Sequence, residues 1–298
     1  MRVLITGGKG FVGQWLAAHL KDRGDEVAVI DIETDVAEGA AVRRVMTDVS
    51  PQAVYHLAAM THVGESWDNP SQVLRVNVLG TAEVLAAARA QPATPRVLVV
   101  SSAEVYGVVA PEQLPLDEDT PTVPSSPYAA SKLAAEAVAL QAWRGYRQPV
   151  VVVRPFNHIG PGQSPNFIVP ALAKRIIDAR RSGGTSLRVG TLSTRRDFTD
   201  VRDVVAAYRL LIERGAPGEV YNVCSGRDVA MSDVAAQLMD LAGAALTLET
   251  DPELVRPVDV PVLRGDASRL HAATGWRPST PLAKSLADVL ASWEAEED

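Results

Sequence analysis

A doubly wound α/β protein, with a parallel sheet carrying helices on both faces and a smaller α/β region after it, is the fold class this sequence predicts. Three observations predict it. Short β-branched runs alternate with longer helical patterns through the first half of the chain. The middles of the runs are apolar without alternation, as strands buried on both faces of one sheet require. The first run ends in a glycine-rich turn that opens a helix, as the first strand of a βαβ unit does.

Taken in order, residues 2–6, 27–31, 53–57, 96–101 and 150–154 read as strands, and residues 14–23, 72–89 and 128–144 as the helices crossing between them. Past Pro155 the rhythm loosens into a Gly/Pro/Asn stretch over 157–166, a helical pattern near 170–181, a short strand near 187–189 and a helix over 201–213. The run 219–223 is expected to return to the main sheet. The division therefore falls at residues 1–160 for the main domain, with a return segment at about 195–223, and 161–298 for the smaller region. Residues 282–293 read as a closing amphipathic helix, and the acidic residues 294–298 as a solvated end.

At 298 residues the chain is long enough for about two domains of ~150 residues each. Hydrophobic residues at 47% and charged residues at 22% exclude a disordered or fibrous chain. The net charge of −7 gives no general attraction to phosphate backbones or anionic lipid, so neither nucleic acid nor a membrane is an expected partner. A single cysteine, Cys224, excludes an intrachain disulfide and reads as a small core residue of a protein in a reducing compartment. With no signal-like start and no uncharged apolar run of membrane length, the cytoplasm is the expected location.

The turn after the first run reads Thr6-Gly7-Gly8-Lys9-Gly10-Phe11-Val12-Gly13. Gly7, Gly10 and Gly13, three apart, let the backbone turn tightly, approach a pyrophosphate and pack helix on strand, while the helix start offers N–H donors. The second run ends in Ile30-Asp31, where an acid binds the ribose hydroxyls of a dinucleotide and repels a 2′-phosphate. NAD(H) is thus expected in preference to NADP(H), although Lys9 and Arg43-Arg44 lie close by in sequence and keep NADP(H) open.

Ser101-Ser102-Ala103-Glu104 follows the fourth run, at the sheet edge where such folds bind ligands. Tyr128 and Lys132 are four apart in a helical pattern and share a face. A hydroxyl, a phenol and an ammonium then converge for proton transfer. A lysine ammonium and an oxidised nicotinamide both favour a phenolate, so the tyrosine is expected to titrate well below its ordinary value of about 10.

On these residues, with Asp48-Val49, His56-Leu57-Ala58-Ala59 and Asn77-Val78-Leu79-Gly80-Thr81, the whole chain resembles the extended short-chain dehydrogenases/reductases acting on nucleotide sugars, whose fold is Rossmann-type with a smaller C-terminal substrate-binding region. The resemblance implies that Asp48 and Val49 meet the adenine, Phe11 and Val12 lie along the pyrophosphate, and Leu57 and Ala58 line the cofactor. It further implies that Asn77 fixes the cofactor or its neighbouring loop, and that Pro155, His158 and Ile159 sit near the nicotinamide carboxamide. Residues 154–164, 196–204 and 221–226 resemble the reductases of that family that convert GDP-4-keto-6-deoxy-D-mannose to GDP-D-rhamnose. That implies a GDP-hexose substrate with Asn157 on its diphosphate and Arg196 and Arg256 neutralising it. Arg180, Arg188 and Arg195 are weaker candidates that read equally well as solvated charges, and Trp143, Trp276 and Trp293 read as packing anchors. The family also implies a homodimer through the helix bearing Tyr128 and the one before it, whose apolar positions 84–88 and 133–140 equally suit packing on their own sheet.

Three other readings stay open. Glu104 stands where the related GDP-mannose 4,6-dehydratases have the glutamate of their elimination step, and a nucleotide-sugar 4-epimerase uses the same serine, tyrosine and lysine with retained NAD. A dinucleotide-sensing protein that catalyses nothing is the third, on the same fold. The intact set Ser102, Tyr128 and Lys132 argues against the last.

Overall fold

Val3, Leu4 and Ile5 are fully buried because the first strand has a neighbour on each side and helices above and below. Residues 1–254 and 260–295 are described by the computed structural model. The main sheet is built from β1 (Arg2–Thr6), β2 (Glu26–Ile30), β3 (Ala53–His56), β4 (Arg96–Val100), β5 (Val150–Pro155) and a late strand, β9 (Val220–Val223). Their order is β2-β1-β3-β4-β5-β9 and every pair is parallel, with Ile5 beside Val29 and Tyr55, Tyr55 beside Leu98, and Val153 beside Tyr221. The expected return of the run at 219–223 is thus present, as the outer strand next to β5.

Helices α1 (Phe11–Asp22) and α8 (Val201–Arg214) cover one face, burying Leu16, Leu20, Val204, Tyr208 and Leu211. Helices α2 (Gly39–Val49), α5 (Gly80–Arg89) and α6 (Pro127–Tyr146) cover the other with Met46, Val84, Leu85, Ala88 and Ala139. Two short helices, α3 (Val63–Asp68) and α4 (Pro70–Leu74), precede α5. The continuous helix expected over 72–89 is interrupted, because a π turn at Arg75–Leu79 separates α4 from α5.

A second core lies beyond β5. Strand β6 (Asn157–Ile159) pairs in parallel with β8 (Arg195–Asp200), which also pairs with β10 (Asp228–Ala230) and β12 (Val262–Leu263), while β7 (Ser186–Val189) pairs with β11 (Thr247–Thr250). Helices α7 (Ile168–Ser182), α9 (Met231–Ala242) and α11 (Leu282–Ala295) bury Ile176, Ile177, Val234, Leu238, Leu286 and Val289 together, with Trp293 packed against them. Helix α10 (Ser268–Thr274) returns to the first core with the buried Trp276, whose indole N–H donates to the Asp203 carbonyl at 2.9 Å. Among the described residues no helix is long and apolar enough to cross a membrane.

The carboxyl ends of β1 and β3 are tied to α5 by one buried histidine. Thr81 Oγ1 gives its proton to the Asn77 carbonyl at 2.6 Å, so His56 Nε2–H donates to Thr81 at 3.0 Å, and Nδ1 accepts from the Thr6 hydroxyl at 2.7 Å. Burial, and the Lys132 charge after it, hold the imidazole pKa down to about 3. An unfolded histidine charges near 6.5, so between these values the unfolded chain binds the extra proton and stability falls as pH drops. From this residue alone the loss approaches about 1.4 kcal/mol per pH unit below pH ~6.5. Denaturant unfolding at pH 7 and pH 5 is expected to show a steeper loss for the wild type than for His56→Gln; parallel slopes would remove His56 as a source.

Candidate active site

A cleft of about 1180 Å³ runs along the carboxyl edge of the main sheet. Its floor is the glycine turn. Gly7 has φ +71°, and a Cβ there would lie 2.8 Å from the Ala58 nitrogen; a Cβ on Gly13 would lie 2.3 Å from the Gly7 carbonyl oxygen. Only glycine lets the β1–α1 turn fold back this tightly. No side chain caps α1 at Gly10, which leaves first-turn N–H groups and the positive helix end for an anion.

Of the residues assigned to a dinucleotide from sequence, Gly7, Gly10, Phe11, Val12, Gly13, Asp31, Leu57, Ala58, Pro155, His158 and Ile159 all line this cleft, as do Tyr128 and Lys132, which would meet the cofactor as well as the substrate. The His158 ring stacks on Phe11 with centroids 6.2 Å apart, and burial lowers its pKa, so it is a neutral wall. Asp31 is held by the backbone N–H groups of Lys9 (2.7 Å) and Ile32 (2.9 Å). The cleft also offers Gln163 Oε1 and Tyr208 Oη, buried polar atoms without a protein partner. A glycine floor, an uncapped helix start, an acid at the end of β2 and waiting polar atoms together fit a dinucleotide.

One expectation is corrected and one is narrowed to its second alternative. Asp48 and Val49 end α2, just before β3 begins at Ala53, and so lie at the amino edge of the sheet, away from the cleft. The other Asp-Val pair of this stretch, Asp35-Val36, lines it instead, beside Ile32 and Thr34. Asn77 does not line the cleft; its amide donates to the Met60 carbonyl (3.1 Å) and Ser131 Oγ (2.8 Å) and accepts from Met60 N–H (2.8 Å). It therefore fixes the neighbouring loop, from within the π turn.

Ser102, Glu104, Tyr128 and Lys132 are brought together on the cleft wall. Ser102 caps the 3₁₀ turn Ala103–Tyr106 by accepting from the Glu104 N–H at 3.2 Å. Ser126 caps α6, which fixes Tyr128 in its first turn. The Lys132 ammonium donates to the Val100 carbonyl at 2.8 Å and stands 5.9 Å from the Tyr128 ring centre. The lowering expected from the lysine and an oxidised nicotinamide together is not produced by the lysine alone. Burial pushes the Tyr128 phenol up to about 12, against a hydrogen bond from Ser102. Burial also lowers Lys132 to about 8, with the Glu136 carboxylate pulling it up. Desolvation outweighs the lysine, whose ammonium donates to the Val100 carbonyl.

On the far side of the cleft stand Asn157 and Arg196, the latter donating to the Arg195 and Val260 carbonyls at 2.9 and 2.6 Å. Arg180, Arg188 and Arg195 are ion-paired with Glu294, Asp251 and Asp228 and do not line it. Arg256 lies outside the described residues. Arg75, not anticipated from sequence, lines the cleft from the π turn, paired with Asp35 at 2.7 Å and Glu38 at 3.1 Å.

Fold and site define an extended short-chain dehydrogenase/reductase. The family described as GDP-mannose 4,6 dehydratase matches residues 31–289. A GDP-6-deoxy-D-mannose reductase of Pseudomonas aeruginosa is 39% identical over 99% of this chain and 97% of its own length. The structure of RMD from P. aeruginosa complexed with NADPH superposes with a TM-score of 0.91 at 37% identity, covering 99% of this chain and 100% of that one. The Thermus thermophilus UDP-glucose 4-epimerase complex with NAD gives 0.89 at 29%, covering 99% of each. The chain belongs to the GDP-mannose 4,6-dehydratase-like family of extended short-chain dehydrogenases/reductases.

Gly13→Ala is expected to drive a methyl group into the Gly7 carbonyl, costing about 1–3 kcal/mol and abolishing dinucleotide binding. Thermal unfolding and titration with NADH check both; an alanine variant that binds normally would refute the glycine floor.

Proposed function

We propose that this protein reduces the C4 ketone of GDP-4-keto-6-deoxy-D-mannose to GDP-D-rhamnose with NAD(P)H. The observation that carries the reading is the Ser102–Tyr128–Lys132 set on the wall of the cleft. The 39% identity to a GDP-6-deoxy-D-mannose reductase over almost the full length of both chains supports the substrate. Bound NAD(P)H supplies a hydride. The Ser102 and Tyr128 hydroxyls polarise the ketone oxygen, and Tyr128 gives its proton to the alkoxide as it forms. A phenol held near pKa 12 is fully protonated at neutral pH, the form a reductase needs at the start. The Lys132 ammonium then steadies the phenolate from the same helix face. Asn157 and Arg196 hold the diphosphate in this reading, and the role expected for Arg256 falls outside the described residues.

Asp48 and Val49 being remote, the adenine is placed against Val36 and Asp35. NADH is the preferred cofactor in this reading, because an acid, Asp31, stands at the ribose position, while Lys9 is paired with Glu33 at 2.9 Å, Arg75 with Asp35 and Glu38, and Arg43 with Glu83 at 3.6 Å. The two-part division at residues 1–160 and 161–298 shifts at both seams in this reading: Asn157 of β6 and Arg196 of β8 belong with the sugar nucleotide on the small sheet, and α8 and β9 form the return to the cofactor-bearing main sheet. We place the protein in the cytoplasm as a homodimer. Val84, Leu85, Ala87 and Ala88 are spent on the protein's own core, so the partner helices would meet through exposed Leu74, Leu79 and Tyr146. Light scattering of the purified protein checks the dimer.

The deciding experiment follows NADH and NADPH absorbance with the keto sugar made in situ, beside GDP-mannose and UDP-glucose. Oxidation with the keto sugar alone is the expected result; because Glu104 lines the cleft, conversion of GDP-mannose without net oxidation would move the activity to a dehydratase. Tyr128→Phe is expected to lower kcat at least about a hundredfold while NADH binds within about twofold of wild type. Asp31→Asn is expected to improve NADPH relative to NADH by about tenfold, the worth of ~1.4 kcal/mol; an unchanged ratio would sink the role given to Asp31.

A further inference from the structure

Behind the cleft wall lies a buried ion pair that the mechanism above does not use. Glu136 stands one helical turn after Lys132 and two after Tyr128 on α6, so the three share a face. Its carboxylate accepts from Arg154 Nε at 2.9 Å and Nη2 at 2.8 Å, a bidentate fork, and from Ser101 Oγ at 2.5 Å. The side chains of Glu136 and Arg154 are 2% and 7% exposed. Arg154 Nη1 donates onward to Tyr106 Oη at 3.1 Å, and Tyr106 donates to Asn222 Oδ1 at 2.8 Å. Each anchor adjoins a site residue in sequence: Ser101 precedes Ser102, Arg154 precedes Pro155, and Tyr106 closes the 3₁₀ turn that carries Glu104.

Stability alone does not account for such a pair, since a well-packed apolar pair of similar volume usually serves a core as well or better. The carboxylate joins the end of β4, the middle of α6 and the end of β5 at the point where all three present groups to the cleft.

We propose that Glu136 and Arg154 are positioning residues for the reduction, holding the Ser102 backbone, the Lys132 turn of α6 and the Pro155 turn in one register. The proposal rests on the reductase reading for its rate effect but not for its electrostatic one. The groups facing Lys132 are Tyr128 and Glu136 on α6, the neutral His56 on β3, the Val100 carbonyl on β4 and, beyond Tyr128, Glu104. Glu136 is the anion that raises Lys132 against burial, so removing its charge lets the ammonium lose its proton at lower pH.

The test pairs Glu136→Gln with the apolar double variant Glu136→Leu/Arg154→Met, which removes both partners of the ion pair together and leaves neither of them buried alone. The double variant is expected to unfold at or near the wild-type temperature, with kcat lower by about ten- to a hundredfold, KM and NADH affinity within about twofold, and the alkaline limb of the kcat profile moved to lower pH. Lysine ¹³Cε NMR titration of the apo protein, which needs no sugar, is expected to show Lys132 titrating lower in both variants than in the wild type. Wild-type kcat and an unmoved Lys132 titration in the double variant would overturn the proposal and leave the pair a packing device. Wild type that turns over no keto sugar would instead overturn the reductase reading, with the Lys132 titration still deciding the electrostatic role of Glu136.

Discussion

Parallel pairing is the constraint on which the rest of this structure depends. Because all six strands of the main sheet point the same way, their carboxyl ends meet along one edge and every β-to-α connection delivers its first residues there. The glycine turn follows β1, Asp31 follows β2, Leu57 and Ala58 follow β3, and Ser102 follows β4. Pro155 ends β5 and feeds directly into β6. Parts far apart in sequence are thus gathered by topology, and the interdigitated β9 closes the same edge beside β5.

Burial then decides the proton inventory of that edge. The same loss of water raises the Tyr128 phenol to about 12, lowers the Lys132 ammonium to about 8 and holds His56 to about 3. Each shift favours the uncharged form. A site of that kind is poised to give a proton from a phenol, and it needs a charge to arrive before a phenolate is comfortable. Reading Tyr-x-x-x-Lys from sequence supplies the ammonium's attraction but not the desolvation, which depends on what covers α6.

What was legible in the sequence is what local chemistry fixes. A glycine turn after an apolar run, an acid at the end of the next, and a tyrosine and lysine four apart need no tertiary information, and the structure gathers them all in one cleft. Asp48-Val49 was misplaced because two Asp-Val pairs flank α2 and only the helix's direction tells which end faces the cleft; Asp35-Val36 precedes it and Asp48-Val49 ends it. For Asn77 the sequence leaves two roles open, cofactor or neighbouring loop, and the structure gives the loop; the π turn that carries it has no signature distinct from an ordinary helix. Strand β8 was missed because Arg195-Arg196-Asp197 reads as a solvated run. In the structure the Asp197 carboxylate accepts from the N–H groups of Ser225, Gly226 and Gly265 at 2.8, 2.9 and 3.2 Å, partners that lie about thirty or more residues away in sequence.

That missed strand supplies the far wall of the cleft. Asn157 of β6 lies directly beside Phe198 of β8, and Arg196, two residues earlier on the same strand, projects to the same face as Phe198. An amide and a guanidinium therefore reach the cleft from adjacent strands of a small sheet, set by backbone pairing instead of by loop conformation. Because β6 continues from β5 after one residue, the register that places Pro155 at the edge of the main sheet also places Asn157 on this wall. The spacing between the Pro155 edge and the Asn157 wall is thus written into one short extended segment.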